Sequence, residues 1–411
     1  MNPLFVGIDV SSKSNVVCLM KPDGAKHSSF SVQNNLGGAK LLSKKIVSAL
    51  EETQLSQLVI GMEATSVYGD NLMRFLREDA ATARFERKLH MLNPKQVKKF
   101  KEAYSDLPKN DYIDAFIIAD NLRFGRTTRE VTALQDYRYE ALKSLTRARF
   151  FAVQSLTREK QRFLNNVFLK FSSLTQEEVF SNTFGTTSLT ILEAFDTIDD
   201  LANASLDDLI CLIRTKGHGK FSDPEATAKA LQAAARSSYR LPKTINDSVN
   251  QVLAVSISTM RAMDVQIKTL DKAIAEQLAI IPNTLTSVKG IGPVYAAGLL
   301  AEIGDVNRFD SQASLAKYAG LVWNQHQSGD FEAQTTRLIK SGNRFLRYYL
   351  LEAANSLRRC DAEFKRYYDL KYREVNKFQH KRALALTARK LVRLVFRLLK
   401  DNRLYIPPEQ L

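Results

Sequence analysis

The sequence predicts an α/β domain at the N-terminus, followed by a long helical arm and a mainly helical C-terminal part. Three observations predict this class. Short apolar, β-branched runs alternate with helical patterns in the first 125 residues, two long helical patterns lie between residues 126 and 280, and a basic amphipathic helical pattern lies near the C-terminus. A chain of 411 residues can form two or three domains with separate cores. We therefore expect domains at residues 1–125, 126–280 and 281–411.

The first 125 residues contain strand and helix patterns in a definite order. Three strand patterns come first, LFVGIDVS, NVVCLMKPDG and HSSFSVQN, and the second ends in the turn residues Pro-Asp-Gly. A helical pattern follows, and then strands and helices alternate through the stretches SQLVIGMEAT, VYGDNLMRFLRED, ARFERKLHMLN, NPKQVKKFKEA and NDYIDAFIIADNLRF. This order is typical of the RNase H-like fold, in which a meander of strands continues into parallel α/β units.

Residues 126–280 contain the two long helical patterns. They are YRYEALKSLTRARFFAVQSLTREKQRFLNNVFLKF and NDSVNQVLAVSISTMRAMDVQIKTLDKAIAEQL. Two such helices in one chain favour an antiparallel arm or a coiled coil. The segment between them, residues 175–243, is predicted to be a small helical insertion.

The C-terminal part opens with the stretch SVKGIGPVYAAGLLAEIG, which predicts a helix-hairpin-helix. Gly290 and Gly292 permit a tight turn, and Pro293 suits the first position of the next helix. Backbone N–H groups of such a turn can bind a DNA phosphate without reading the base sequence. The alternative is a simple turn between two helices.

The charge balance points to a polyanionic partner. The chain carries 59 Lys and Arg against 44 Asp and Glu, which gives a net charge of +15. Residues 371–400 alone contain ten Lys or Arg and one acid. A run of this kind can be a solvated helix face, but in a chain this basic we expect it to face phosphates of DNA or RNA.

Other compositional features indicate a cytoplasmic protein. No apolar run approaches the roughly 20 residues that a membrane-spanning helix needs, so no membrane partner is expected. The N-terminus lacks the features of a signal peptide. The three cysteines are widely spaced and form no CxxC pair, which argues against a zinc site or a disulfide framework.

Four acidic residues of the N-terminal part are candidate metal ligands. Asp9 lies inside the first strand, where a charge among core-forming residues is costly without a partner. Glu63 ends a later strand, and Asp111 and Asp114 are one turn apart on a helix. Taken singly, Glu63 can be an ordinary strand-end acid, and Asp111 can be an acid at a helix start. Together they predict a carboxylate cluster neutralised by Mg²⁺, with two ions able to act on one phosphodiester.

A second candidate group lies in the C-terminal part. Ser328 occurs in the loop NQHQSGDF between two helical segments, where Ser-Gly is also a common turn sequence. The stretch KSGNRFLR follows near the start of a helix and presents four polar or basic side chains that can bind phosphate oxygens: Lys340, Asn343, Arg344 and Arg347.

These residues together resemble the transposases of the insertion sequence 110 family, the RNA-guided "bridge" recombinases with a RuvC-like DEDD domain. The resemblance covers nearly the whole chain. Its N-terminal motifs are GIDVS, GMEATSVY, LNPKQVKKF and NDYIDA, and its C-terminal motifs are VKGIGPVYAAGLLAEIGDVNRFDSQASLAKYAGL, the Ser-Gly pair at 328–329 and KSGNRFLR. Two departures exist: Asn110 stands where family members often have Thr or Ser, and the insertion at 175–243 is long compared with compact members.

The resemblance implies a mechanism and partners. Asp9, Glu63, Asp111 and Asp114 would hold two Mg²⁺ ions in a composite site, and Ser328 would attack a DNA phosphate to give a 5′-phosphoserine link and a free 3′-OH. It also implies donor and target DNA, a structured noncoding guide RNA, and a homo-oligomer such as a tetramer or dimer of dimers. Two alternatives remain: a RuvC-like junction endonuclease that uses water as the nucleophile, and a basic nucleic-acid-binding protein without catalysis.

Overall fold

The computed structural model describes residues 3–64, 67–104, 108, 110–125, 137–323, 327–328, 331–332 and 338–407. The chain forms two compact units, Met1–Gln135 and Asp136–Leu411. The predicted domain boundaries at 125 and 280 stay predictions. Among the described residues, no helix is both long and apolar enough to cross a bilayer.

The first unit contains a five-stranded mixed sheet. Its strands are β1 Pro3–Val10, β2 Ser14–Met20, β3 Lys26–Gln33, β4 Gln57–Glu63 and β5 Glu86–Leu92. The spatial order is β3-β2-β1-β4-β5, in which β1–β2 and β2–β3 are antiparallel and β1–β4 and β4–β5 are parallel. The predicted meander and the two parallel units are therefore both present.

Helices cover both faces of this sheet. The α-helices of the unit are α1 Leu36–Thr53, α2 Asp70–Glu78, α3 Ala80–Ala83, α4 Pro94–Lys101 and α5 Asp111–Arg123, with a 3₁₀ turn at Val67–Gly69. One apolar core joins the sheet to α1 and α2. A second core joins the opposite face to α4 and α5. Burial of both faces explains why β1 and β4 are nearly continuous hydrophobic runs.

Two glycines let α5 pack directly on the sheet. Gly7 of β1 and Gly61 of β4 are paired neighbours across the parallel ladder. A Cβ atom on Gly7 would lie 2.2 Å from the Ala115 carbonyl oxygen and 2.4 Å from the Ala119 nitrogen. A Cβ atom on Gly61 would lie 2.8 Å from the Leu122 side chain. Helix α5 therefore packs closely on the two strands where Gly7 and Gly61 have no side chains.

The second unit is built on two long helices, α6 Tyr137–Lys170 and α11 Lys243–Ala279. Arg149 pairs with Asp271, and Ser256 donates a hydrogen bond to Glu159 at 2.7 Å. Because residues late in one helix meet residues early in the other, the pair is antiparallel, as predicted.

The insertion between the two long helices is helical, as predicted. It contains α7 Thr186–Ala194, α8 Ile198–Asn203, α9 Leu206–Gly217 and α10 Pro224–Ser237. These helices share an apolar core with the central parts of α6 and α11. The insertion is thus a packed part of the second unit.

The remaining helices form a separate core with the ends of the long pair. They are α12 Pro293–Ile303, α13 Gln312–Ala319, α14 Arg344–Cys360, α15 Ala362–Arg373 and α16 Gln379–Lys400, with a 3₁₀ turn at Val306–Arg308. Leu142, Ile274 and Leu278 of the long helices pack into this core.

The predicted helix-hairpin-helix differs from the expectation in its first half. Before Gly290 the structure has a single 3₁₀ turn, Leu285–Ser287, in place of an α-helix. The Ser287 hydroxyl donates to the Thr284 carbonyl at 2.6 Å, and Asn283 accepts from the backbone N–H of Thr286 at 3.3 Å. Such local side-chain hydrogen bonds compete with helical ones, which explains the short turn.

Candidate active site

Three carboxylates of the first unit meet at one point. They belong to Asp9, Asp111 and Asp114, and one oxygen atom of each lies within 4.8 Å of the others. Asp9 and Asp114 are partly buried, whereas Asp111 is exposed. The strand and the helix that were predicted to supply these acids therefore bring them together.

The local sequence explains this convergence. Asp9 follows Gly7 by two residues, so both face the same side of β1, against α5. Asn110 caps α5, because its side chain accepts a hydrogen bond from the Tyr112 backbone N–H at 2.9 Å. The first turn of α5 then places Asp111 and Asp114 over the end of β1.

Glu63 stands beside this group on β4. It follows Gly61 by two residues, as Asp9 follows Gly7, and the two glycines are paired. The group of three with oxygens within 4.8 Å does not include it. However, the pKa of Glu63 is raised by burial and then by the negative charges of Asp9 and Asp114. The fourth predicted acid therefore belongs to the same electrostatic environment.

The pKa of Asp9 is strongly raised by its surroundings. Burial, followed by the charges of Asp114 and Asp111, raises its pKa from 3.8 to about 6, against an opposing effect of Lys101. Carboxylates that repel each other in this way are stabilised when a cation neutralises them.

The donor set suits a divalent metal ion. All four side chains offer carboxylate oxygens, which hard cations such as Mg²⁺ prefer. The three oxygens within 4.8 Å are close enough to share an ion. Asp9, Asp111 and Asp114, with Glu63 beside them, would hold it.

Lys101 is a site residue that sequence reasoning missed. It ends α4, and its Nζ atom lies 2.5 Å from Oδ1 of Asp114. Its side chain retains 28% exposure, against 34% for that of Asp114. The available signal was its position directly after the motif LNPKQVKKF, but that motif contains three similar lysines and nothing local distinguishes Lys101 from them.

The C-terminal loop with Ser328 contains two short antiparallel ladders. Strand β6 Val322–Trp323 pairs with β9 Leu338–Ile339, and β7 Gln327–Ser328 pairs with β8 Phe331–Glu332. Residues 324–326, 329–330 and 333–337 lie outside the described residues, as does the side chain of Ser328. The role predicted for Ser328 therefore stays a prediction.

Asn343 has an internal role at the base of this loop. It caps α14, and its side-chain oxygen accepts from the backbone N–H groups of Phe345 and Leu346, both at 3.0 Å. Its amide nitrogen donates to Glu302 at 2.6 Å and to the Tyr318 hydroxyl at 3.1 Å. With both ends of the amide engaged, Asn343 has little capacity left for the predicted phosphate contact.

Glu302 connects this cap to the long helix α6. The side chain of Glu302 is fully buried and accepts two hydrogen bonds from Arg147, at 2.7 and 3.0 Å. A buried carboxylate needs such partners to be tolerated. The Glu302 network therefore fixes the start of α14, where the serine loop returns to the helical core.

Arg347 ties the two ends of the loop together. Its Nη1 atom donates to the carbonyl oxygens of Ala319 and Lys340, both at 3.0 Å. Lys340 and Arg344 are exposed, and the guanidinium of Arg344 lies over the Phe345 ring at 4.8 Å. Of the four predicted phosphate ligands, these two remain open to solvent.

The two hairpin glycines have different surroundings. Gly290 has a φ of +107°, and a Cβ atom there would lie 3.3 Å from Cys360 and Leu357. A side chain at this position would be strained. Gly292 precedes α12, and a Cβ atom there would have no described atom within 4 Å. Gly290 is thus required by the backbone conformation of the turn, whereas the backbone of Gly292 is accessible to a ligand.

Comparisons with known proteins identify the family. Residues 6–171 match the model of DEDD transposases of the IS110 type, described as "Transposase", and residues 283–369 match the model "Transposase IS116/IS110/IS902 family". The 44.8 kDa protein of insertion element IS116 from Streptomyces clavuligerus is 26% identical over 322 residues, which cover 76% of each chain.

Two further relatives match shorter segments. The 43.6 kDa protein of insertion element IS110 from Streptomyces coelicolor is 32% identical over 163 residues, or 39% of this chain and 38% of the relative. The transposase for insertion sequence element IS1111A from Coxiella burnetii is 36% identical over 73 residues, or 18% of this chain and 20% of the relative. The chain belongs to the IS110 family of insertion-element transposases, which are enzymes that cut and rejoin DNA.

Proposed function

We propose that this transposase is an RNA-guided recombinase that exchanges DNA strands through a covalent link to Ser328. The observation that supports it most directly is the convergence of Asp9, Asp111 and Asp114 within 4.8 Å in a domain of RNase H-like strand order. Such a carboxylate group is suited to metal ions that would position a phosphodiester.

The four acids have distinct tasks in this proposal. Two Mg²⁺ ions in the composite site would neutralise the charge that develops on a scissile phosphate. Strand β1 positions Asp9, and the capped helix α5 positions Asp111 and Asp114. The ligands are therefore fixed before DNA binds. Glu63 adds a carboxylate from the neighbouring strand.

Ser328 is the proposed nucleophile. Its hydroxyl oxygen forms a bond to the phosphorus of the scissile phosphate, the bond from phosphorus to the 3′ oxygen breaks, and the serine proton is transferred to give a free 3′-OH. The 5′-phosphate then remains on Ser328. The 3′-OH of another strand then attacks the same phosphorus, which forms the new phosphodiester, breaks the bond from phosphorus to the serine oxygen and returns a proton to Ser328. The phosphodiester bond energy is thereby conserved without a nucleotide cofactor.

Donor and target DNA and a structured noncoding RNA are the proposed nucleic-acid partners. Base pairing by the RNA would select the sites, and the protein would contact backbones. The net charge of +15 supports binding of both. Lys340, Arg344 and the open backbone at Gly292 are suited to phosphates, whereas Gly290, Asn343 and Arg347 are suited to holding the turn and the loop in place.

We also propose a homo-oligomer, a tetramer or dimer of dimers, in which Ser328 of one subunit completes the acidic site of another. The long antiparallel helices α6 and α11 are a suitable element for that assembly.

Strand cleavage by three proteins tests the proposal. DNA carrying the ends of the native element is incubated with wild type, Ser328→Ala or Asp9→Asn, each copurified with RNA from the expressed element. We expect Mg²⁺-dependent cleavage by wild type alone, and a specific enriched RNA with all three. Cleavage by Ser328→Ala at the wild-type rate would identify water as the nucleophile and favour the junction endonuclease. Absence of an enriched RNA would refute guidance by RNA.

A further inference from the structure

One exposed aromatic residue lies in a turn of the most basic segment. Phe378 separates α15 from α16, and 80% of its surface is exposed, the largest value for a big hydrophobic side chain among the described residues. Its φ is +53°, the left-handed region that bulky residues rarely adopt. A single exposed apolar side chain needs no explanation by itself. Phe378 differs from such a residue because its backbone is held in an ordered turn and because several cations lie near it in the sequence.

Hydrogen bonds close the turn beneath Phe378. The Gln379 side chain donates to the Tyr372 carbonyl at 3.3 Å, and Arg382 donates to the Lys371 carbonyl at 3.2 Å. Arg382 also pairs with Glu374 at 2.9 Å. The backbone on both sides of Phe378 is thereby held, so the ring projects from an ordered turn.

The packing below the turn is complete without Phe378. Tyr368 packs against Tyr372 and His380, with ring centroids 5.9 and 6.0 Å apart, and its hydroxyl is hydrogen-bonded to the His380 Nδ1 atom at 2.6 Å. In the described part of the chain, Phe378 contacts no other aromatic ring. Its ring face is therefore available to a ligand.

Unpaired cations lie near Phe378 in the sequence. Arg373, Lys377 and Lys381 are exposed, and none of the three pairs with a described acid. The nearby acid Glu374 is already engaged by Lys371 and Arg382. An exposed aromatic side chain in a turn that also carries free cations suits a nucleic-acid strand, because phosphates can bind the cations while an unstacked base lies on the ring.

We propose that residues 372–381, the α15–α16 turn, bind a DNA strand in which one unpaired base stacks on Phe378. Arg373, Lys377 and Lys381 hold the adjacent phosphates. DNA is the partner because the chain belongs to a family that cuts and rejoins DNA. The need for an unpaired base rests on the proposed function, in which strand exchange requires bases to leave the duplex. The turn lies beyond residues 283–369, the segment matched by the second family model. The proposal depends on neither the metal site nor Ser328.

Binding of the full chain to single-stranded DNA containing 2-aminopurine tests this proposal, in chelator so that cleavage plays no part. We expect Phe378→Ala to weaken binding about tenfold and to remove the fluorescence quenching caused by stacking. Phe378→Tyr keeps an aromatic face and should bind like wild type. Phe378→Leu keeps the apolar bulk but has no ring, so its DNA affinity should be as low as that of Phe378→Ala.

Two matched controls separate stacking from general effects. Leu36→Ala removes another exposed apolar side chain, 63% exposed, and should leave DNA binding unchanged. In a Lys377→Ala/Lys381→Ala double variant, the plot of log affinity against log salt concentration should become less steep. The magnitude of its negative slope should decrease by about 1.4, since each phosphate contact on a single strand contributes about 0.7. Circular dichroism of each variant verifies folding.

Three results would overturn the proposal. The first is wild-type DNA affinity in Phe378→Ala, and the second is retention of affinity by Phe378→Leu, which would show simple apolar contact. The third is a loss confined to single-stranded RNA, or to vesicles containing phosphatidylserine, while DNA binding is unchanged.

Discussion

The ammonium group of Lys101 lies 2.5 Å from a carboxylate oxygen of Asp114, at the acidic cluster where a metal ion is expected. The same lysine lowers the pKa of Asp9 and of Glu63, against the effects of burial and of the other acids. Lys101 therefore supplies positive charge to a group of carboxylates that repel one another. A metal ion entering the site would compete with this lysine for Asp114.

Lys101→Ala should strengthen Mg²⁺ binding and weaken the metal-free protein. Removal of a competing cation leaves Asp114 free for the metal, and we expect a Kd for Mg²⁺ about three- to tenfold lower by calorimetric titration. In chelator the thermal midpoint should fall, because repulsion among Asp9, Asp111 and Asp114 is less opposed. Lys98→Ala is the matched control, since Lys98 is 79% exposed on the same helix and lies 4.0 Å from Glu102. Equal Mg²⁺ affinities and equal thermal midpoints in the two variants would contradict competition between Lys101 and the metal ion for Asp114.

Asp9→Asn should stabilise the metal-free protein at neutral pH. The folded-state pKa of Asp9, about 6, lies above its usual value of 3.8, so the folded protein binds this proton more tightly than the unfolded chain. Its favourable contribution is fully present below about pH 4 and is lost as the pH rises through 6. Asparagine resembles the protonated acid. We expect the free energy of unfolding in chelator to rise by about 1 kcal/mol at pH 7.5, since solvent screens this half-buried site.

Urea unfolding of Asp9→Asn and wild type at pH 4 and pH 7.5 measures this effect. The gain should vanish at pH 4, where wild-type Asp9 is itself protonated. With saturating Mg²⁺ the order should reverse at pH 7.5, because the variant loses a ligand. An equal gain at both pH values would mean that repulsion in the acidic cluster is not its cause.

Gly7→Ala should separate α5 from the sheet. The new Cβ atom would lie 2.2 Å from the Ala115 carbonyl oxygen, so either the helix or the strand must shift. We expect a loss of about 2–4 kcal/mol in the free energy of unfolding and a weakened Mg²⁺ site, since Asp111 and Asp114 move with α5. Gly37→Ala is the control, because a Cβ atom there meets only the Asn35 side chain, at 3.5 Å. It should be neutral or stabilising. An equally stable Gly7→Ala protein would show that the close contact is not required.

Glu302→Ala should disturb the base of the serine loop. It leaves Arg147 and the Asn343 amide without their shared partner, and we expect a cost of about 3 kcal/mol in unfolding free energy. Cleavage by trypsin near Lys340 should become faster than in wild type. Glu193→Ala also removes a two-bond pair, with Arg261, but this pair is exposed and should cost about 1 kcal/mol or less. Comparable losses in the two variants would argue against a special role for the Glu302 network.

Much of the acidic site was predictable from local patterns. An acid inside the apolar strand VGIDV, an acid ending VIGME and two acids in the first turn of a capped helix each have a recognisable setting. The strand order then followed from the alternation of helices and strands. Lys101 was not predictable, because its pairing with Asp114 depends on how α4 packs beside α5 and not on its own sequence context.

The C-terminal region was harder to interpret for the same reason. In the stretch KSGNRFLR, Asn343 and Arg344 look equally suited to phosphate. Only the tertiary structure shows that Asn343 binds Glu302, which lies 41 residues earlier, while Arg344 remains exposed. The replacement of the first predicted helix of the helix-hairpin-helix by a 3₁₀ turn was also hard to predict. It depends on local hydrogen bonds of Asn283 and Ser287 that compete with a helix.

The most direct test of the account is identification of the residue that becomes linked to DNA. Wild-type protein with its copurified RNA, DNA carrying the element ends and Mg²⁺ is quenched in denaturant, digested and analysed by mass spectrometry. The account predicts a nucleotide on the peptide containing Ser328, attached through a 5′-phosphate, and no such adduct for Asp9→Asn or in chelator. Cleaved DNA without any adduct, or an adduct on another residue, would contradict it.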